Sequence, residues 1–185
     1  MRTDNAESAE NAAQAVWTAV VRSVIGPLSV EADDAVIRRV RFGAVNTVAN
    51  AGPGSLAASA AGQLAEYFAG ARRVFDVRPD WSRLDEERAH VLTTLLRIAP
   101  FGHTVSYGEL AAAARLSDPV ASRLVGQVLN ANPWPVIVPC HRVVMADGSL
   151  GGFGGGVWRK DALLRHEGVL PATLFDELGV PKDRR

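Results

Sequence analysis

The chain has one cysteine in 185 residues. An intramolecular disulfide is therefore excluded, and a reducing compartment is the natural home. Its four histidines, His90, His103, His141 and His166, are scattered along the sequence. With so few soft ligands no structural zinc site is expected, and neither is any other metal or cofactor. No stretch is long and apolar enough to cross a bilayer. Met1 to Gln14 is acidic and polar, without a signal-peptide core. A cytoplasmic monomer with no membrane partner is the expectation. The formal net charge is zero, which gives no global pull toward nucleic acid. A glycine-rich run occurs only at Gly151-Gly152-Phe153-Gly154-Gly155-Gly156. It lacks the Lys-Ser/Thr ending of a phosphate-binding loop and reads as a mobile or tightly turned segment.

What is present is enough for a proper core: 48% of residues are hydrophobic, and the length suits one large or two small domains. We read residues 1–14 as a disordered arm, 15–84 as an α/β domain with its linker, 85–170 as a second unit and 171–185 as a tail. Ala15 to Val21, Leu28 to Ala32 and Val36 to Phe42 are strand-like, separated by Gly26-Pro27 and Asp33-Asp34 turns. Ser55 to Ala69 has helical apolar spacing, and Gly70 stops it. Val74 to Val77 is a candidate further strand. Arg78 to Leu84 is a linker anchored by Pro79 and Trp81.

The second unit opens with an amphipathic helix, Asp85 to Ala99, with Val91-Leu92, Leu95-Leu96 and Ile98-Ala99 on one side. Pro100 ends it. Ser106 and Glu109 form a capping box for a short helix to Arg115. Leu116 to Asp118 makes a turn, and Pro119 suits the first position of a helix running to Asn130. That helix has an apolar side, Ala121, Leu124-Val125 and Val128-Leu129. Its polar side is Ser122, Arg123, Gly126, Gln127 and Asn130. Two short helices with a tight turn fit a helix-turn-helix, with an ordinary helical hairpin as the bland alternative. Gly126 in mid-helix costs about 1 kcal/mol relative to alanine, which points to close approach of another backbone, protein or DNA. Between Arg115 and Arg165 six basic residues face three acidic ones, a local excess that permits salt-sensitive DNA binding.

The lone cysteine sits in Pro139-Cys140-His141-Arg142-Val143, after the apolar run Val136-Ile137-Val138. A free cysteine is by type a small buried hydrophobe. Here the preceding proline argues for a turn, and the neighbouring histidine is the commonest partner for thiol activation. Adjacent side chains in an extended turn diverge, so contact between Cys140 and His141 passes through water. The imidazole then needs a third group to orient it. Glu167, at the end of a Trp158 to His166 helix and before Gly168, is the best candidate, although by type and place it reads as a surface carboxylate. Arg142 reads as a structural arginine bonded to loop carbonyls. Asn132 precedes Pro133, and its amide can brace neighbouring loops.

The run from Asn132 to Val144 resembles the active-site signature of the O6-alkylguanine-DNA alkyltransferases. Ser106-Tyr107-Gly108-Glu109-Leu110-Ala111 resembles that family's entry to a helix-turn-helix, and Arg123-Leu124-Val125-Gly126 its recognition helix. Trp158-Arg159-Lys160 through Gly168 resembles its closing helix. The resemblance is close over Phe101 to Gly168 and loose over Gly26 to Pro79. It implies a ribonuclease-H-like α/β N-terminal domain and a mainly α, winged-helix-like C-terminal domain. It implies direct reversal of O6-alkylguanine, and of O4-alkylthymine, in double-stranded DNA, by one irreversible transfer to Cys140. His141 would be a water-linked base, Glu167 its partner, and Asn132 a support of the active-site turn. Tyr107, the Val143 carbonyl and the Gly154 N–H would meet the guanine. The recognition helix would lie in the minor groove, with Ser122, Gly126 and Gln127 along the DNA. Arg123 would fill the space of the flipped base, and Tyr107 would crowd the adjacent phosphate.

The segment Asp85 to Leu92 departs from the Phe-Gln and Val-Trp pattern of many relatives, so no DNA contact is assigned to it. Two other readings make different demands. A non-enzymatic alkylated-DNA-binding protein has no need of Cys140, which such relatives replace, often by tryptophan. A cysteine hydrolase using Cys140 and His141 would turn over repeatedly.

Overall fold

The computed structural model describes residues 15–43, 49–116 and 120–171. The expected arm, the Leu116–Asp118 turn beyond Leu116, the helix start at Pro119 and all but the first residue of the tail lie outside them.

Three strands, β1 (Trp17–Val21), β2 (Leu28–Ala32) and β3 (Ile37–Phe42), form an antiparallel sheet in sequence order. Gly26, at φ +89°, makes the first turn. Asp33 makes the second by accepting from the N–H groups of Ala35 and Val36 at 2.8 and 2.9 Å. The central strand is buried on both faces at Leu28, Ser29 and Val30, because α1 (Leu56–Phe68) covers one of them. Ser55 caps α1 by accepting from Ala58 N–H. No strand forms over residues 74–77. There the Gln63 side-chain amide takes the place of a ladder, accepting from Asp76 N–H at 2.8 Å and donating to its carbonyl at 3.1 Å.

The linker is tied to the sheet. Ile37 N–H donates to the Arg78 carbonyl at 2.7 Å, and Asp80 N–H donates to the Ile37 carbonyl at 3.0 Å. Arg38 bridges Asp33 and Asp80. Trp81 packs edge-on against Trp134 with ring centres 5.0 Å apart. Buried Trp134 itself donates Nε1–H to the Ile37 carbonyl at 2.8 Å.

Helix α2 (Glu86–Ile98) is capped by Asp85 and carries Glu86 and Glu87 in its first turn, where acids suit the helix dipole. Its inner face is Val91, Leu92, Thr94 and Leu95. Leu96, expected inside, is 41% exposed because the helical repeat turns Thr94 inward instead. β4 (Val105–Ser106) leads into α3 (Tyr107–Ala113), where the Ser106–Glu109 capping box is complete. α4 (Ala121–Asn130) follows and packs on α3. β5 (Val143–Val144) pairs in parallel with β4. α5 (Val157–His166) ends at Glu167, before Gly168 at φ +76°. One continuous apolar cluster runs from β1 to α5 through both halves.

Candidate active site

Pro139 ends the apolar run, and Cys140–Arg142 forms a single 3-10 turn. The expected turn is therefore present, with Cys140 and His141 buried. Val136 occupies the left-handed region at φ +74°, a strained conformation for a β-branched residue, just before this turn. The segment is held from both sides. Val40 of β3 donates N–H to the Pro133 carbonyl at 2.9 Å. Asn132 accepts from Trp134 N–H at 3.0 Å and donates Nδ2–H to the Val138 carbonyl at 2.9 Å. The same Nδ2 lies 3.1 Å from Cys140 Sγ. Asn132 thus braces the loop and contacts the thiol together.

His141 makes no hydrogen bond to the sulfur. Its Nε2 lies 2.8 Å from Glu167 Oε1. Against a carboxylate this nitrogen must carry the proton, which leaves Nδ1 as the acceptor in the neutral ring. That Nδ1 is buried and has no hydrogen-bond partner among the described residues. Burial pushes the imidazole below its ordinary value of 6.5, outweighing the opposing pull of Glu167. The ring is neutral at pH 7.

Glu167 is not a surface carboxylate; it is 5% exposed. Burial alone would raise its pKa, but the hydrogen bonds and charges of His141 and Arg142 hold it well below the carboxylate range. Arg142 donates Nε–H to Oε2 and Nη2–H to Oε1, both at 2.9 Å. Its Nη1–H goes to the Ala99 carbonyl at 2.7 Å. Arg142 therefore bonds one loop carbonyl, as expected, and gives two further donors to Glu167. Tyr67 of α1 donates its hydroxyl to Oε1 at 2.7 Å, and Gly102 N–H reaches Oε2 at 3.3 Å. Five donors on one buried carboxylate satisfy a charge that would otherwise be very costly to bury.

Lys160 was not identified from the sequence. It is fully buried on α5, and its ammonium donates to the carbonyls of Val143 and Leu150. Burial lowers its pKa to about 8, against an opposing pull from Cys140. A signal existed: Lys160, Leu163 and Leu164 form the buried stripe of α5 at i, i+3 and i+4. A lysine in such a stripe has a buried partner. Burial pushes the Cys140 thiol up. The Asn132 hydrogen bond, the Lys160 charge and the N–H groups of Cys140 and His141 pull it back without cancelling the rise.

Cys140 opens on a cleft of about 580 Å³. One wall is the outward face of α4: Ser122, Arg123, Gly126 and Gln127. Tyr107, Met145, Phe153 and Gly154 also line the cleft. A Cβ on Gly126 would lie 3.8 Å from the Tyr107 ring, an ordinary contact, so no protein backbone crowds this glycine. Gly154 backs onto Asn130, whose Oδ1 lies 3.1 Å from where a Cβ would stand. The Val143 carbonyl faces Lys160. The structure thus brings Cys140, Tyr107, Arg123, Ser122, Gly126, Gln127 and Gly154 to one cleft. His141, Glu167 and Asn132 stand behind it.

Fold and site together define a protein of a small sheet and a helical part, with a buried cysteine that opens on a cleft beside α4. A family profile described as "6-O-methylguanine DNA methyltransferase, DNA binding domain" matches residues 86–169. The Methylated-DNA--protein-cysteine methyltransferase of Mycobacterium tuberculosis (strain H37Rv) is 41% identical over 164 residues, 84% of this chain and 96% of the relative. The protein of that name from Mus musculus is 48% identical over 86 residues, 46% of this chain and 40% of the relative. The crystal structure of M. tuberculosis OGT in complex with DNA has a TM-score of 0.68 at 39% identity, covering 83% of this chain and 94% of that one. The chain belongs to the methylated-DNA–protein-cysteine methyltransferase family.

Proposed function

We propose that this protein repairs alkylated DNA by direct reversal, moving the alkyl group of O6-alkylguanine, and of O4-alkylthymine, to Cys140. The observation that carries the reading is the cleft itself: the buried sulfur opens beside the outward polar face of α4. The alkyl carbon lies inside the duplex stack, so the base must be turned out to reach Cys140. A cleft between helix and thiol suits that task. Arg123 fills the vacated space, Ser122, Gly126 and Gln127 run along the DNA in the minor groove, and Tyr107 crowds the adjacent phosphate.

In the resting site both thiol and imidazole are neutral. As Sγ attacks the alkyl carbon, the thiol proton passes through one water to His141 Nδ1. The S–C bond forms, the C–O6 bond breaks, and its electron pair leaves on the guanine. Tyr107 donates a hydrogen bond to the leaving guanine, which takes up a proton from solvent while His141 returns the thiol proton to solvent, so one proton is exchanged for one alkyl group. The Gly154 N–H and the Val143 carbonyl hold the base. Glu167 orients His141 and offsets the imidazolium charge. Asn132 holds the active-site turn. The product is a thioether, which nothing in the site can cleave, so each molecule acts once. Within this reading residues 15–84 form a ribonuclease-H-like domain, supported by an antiparallel β1-β2-β3 sheet under one helix. Residues 85–170 form a winged-helix-like domain, supported by α3, α4 and the β4–β5 pair. The protein works as a cytoplasmic monomer; among the described residues no helix is long and apolar enough to cross a membrane.

Mass spectrometry after incubation with O6-methylguanine duplex DNA tests the reading. One methyl group per molecule is expected on the peptide holding Cys140, and Cys140→Ala abolishes it. Repeated turnover, as for a cysteine hydrolase, or a modified residue elsewhere overturns it.

A further inference from the structure

Gly152, Phe153 and Gly154 of the glycine-rich segment line the cleft, and the N-terminal sheet contacts this segment through Phe42. Phe153 lines the cleft. Its ring meets the ring of Phe42, the last residue of β3, edge-on at 5.8 Å and 63°. The Phe42 ring also closes the space beside Gly155. A Cβ there would stand 2.5 Å from Phe42 Cε2 and 2.9 Å from Phe153 Cε1, so glycine alone fits. Arg159 closes the assembly. Its guanidinium sits 5.0 Å from the centre of the Phe42 ring. Its Nη1–H goes to the Gly155 carbonyl, and its Nε–H goes to the Ile25 carbonyl at 3.0 Å, in the turn between β1 and β2. Phe42 of the N-terminal sheet and Arg159 of α5, itself anchored to the β1–β2 turn, thereby hold a segment that is otherwise mostly glycine and has little conformational preference of its own.

We infer that Phe42, with Arg159, is a positioning residue for alkyl transfer: it pins Phe153 and Gly155 so that the cleft is held to a fixed width at Cys140. Phe42 touches no reacting atom. It gives the N-terminal sheet a part in selecting the alkyl group, a role that its distance in sequence from Cys140 conceals. The inference rests on the proposed alkyl transfer for its activity readout. A methyl group has little surface of its own and depends on the wall for orientation, and misplacement of about 1 Å is enough to cost up to a hundredfold in rate. A benzyl group brings a ring with its own packing surface for lining residues such as Tyr107 and Met145, so it depends less on any one wall. Widening the cleft should therefore penalise the small adduct more than the large one.

The experiment compares the full chain with Phe42→Ala and with the conservative Phe42→Leu. Single-turnover transfer is measured from duplexes carrying O6-methylguanine or O6-benzylguanine, together with hydrogen exchange of the amides of residues 151–156. For Phe42→Ala, methyl transfer should slow roughly tenfold while benzyl transfer changes less than about twofold. The 151–156 amides should exchange faster, with α2 and α4 unchanged, and Phe42→Leu should recover most of both effects. Equal slowing on both substrates, or unchanged exchange at 151–156, overturns the inference. If the unmodified chain transfers neither group, the alkyl-transfer reading has failed, and the exchange arm still decides whether Phe42 holds the segment.

Discussion

The hydroxyl of Tyr67, on α1 of the N-terminal half, donates to Glu167 Oε1 at 2.7 Å although 100 residues separate them. Tyr67 is fully buried. Burial, and then the adjacent Glu167 charge, raise its pKa far beyond the usual phenol range, so it is always a donor here. The bond links the N-terminal helix to the carboxylate that orients His141. Hydrogen bonds to charged groups contribute about 1.5–3 kcal/mol. Tyr67→Phe should lose about that much in chemical denaturation while four donors still hold Glu167. Methyl transfer should slow only several-fold and keep its one-to-one stoichiometry. A stability loss below about 0.5 kcal/mol would show that this bond does not couple the halves.

Acid should destabilise the protein in two stages. The folded His141 has a pKa below its ordinary 6.5. The unfolded ring takes up a proton that the folded one refuses, so stability declines as pH falls below about 6.5. The folded Glu167 is held below its ordinary 4.5. Its contribution is complete above that value and is lost as pH falls further, through the folded pKa. Both effects have the same sign. Glu167→Gln breaks a buried ion pair and should cost about 3–5 kcal/mol at pH 7. Its stability should then vary less between pH 4.5 and 3 than that of the unmodified protein. Denaturation curves across pH 3 to 8 check this, and parallel pH profiles for the two proteins would contradict it.

Lys160 places a buried positive charge near Cys140 and ties β5 to the 150 region. Lys160→Met keeps the length and removes the charge. Without it the thiol pKa should rise further, so labelling of Cys140 by a neutral alkylating reagent should move to higher pH. One pKa unit is about tenfold in thiolate at a given pH, and labelling at pH 7.5 should slow by roughly that factor. A profile shifted to lower pH would mean that the charge does not support the thiolate. Above about pH 8 the unmodified protein begins to lose this support as Lys160 itself deprotonates. The two profiles should therefore converge at high pH.

The parts of the site that were legible in the sequence are those made by neighbours. Pro139, Cys140 and His141 are contiguous, and the capping box at Ser106–Glu109 needs only its own turn. The polar and apolar sides of α4 follow from helical spacing and match the burial observed. The surroundings of Glu167 were not legible. Its donors come from α1, from Gly102 and from Arg142, brought together by tertiary packing with no local trace. By type alone a glutamate at a helix end belongs in solvent, and only its partners reverse that. Residues 74–77 misled for the opposite reason. Their apolar content suited a strand, but a side-chain amide satisfied the backbone instead.

Arg123 separates base extrusion from chemistry. It is exposed on α4 and lines the cleft, far in sequence from Cys140. If it occupies the gap left by a flipped guanine, its loss should penalise only substrates that need flipping. Unstacking a base costs a few kcal/mol. Losing compensation of about 1.4–2.8 kcal/mol corresponds to roughly tenfold to a hundredfold in rate. Free O6-benzylguanine needs no extrusion. Arg123→Ala should therefore slow methyl transfer from duplex DNA by that factor and leave the reaction with the free base nearly unchanged. Single-turnover rates on the two substrates, with melting temperature as a control, decide the matter. Equal slowing on both would assign Arg123 to the fold or to the thiolate, and α4 would lose its place as the helix that opens the duplex.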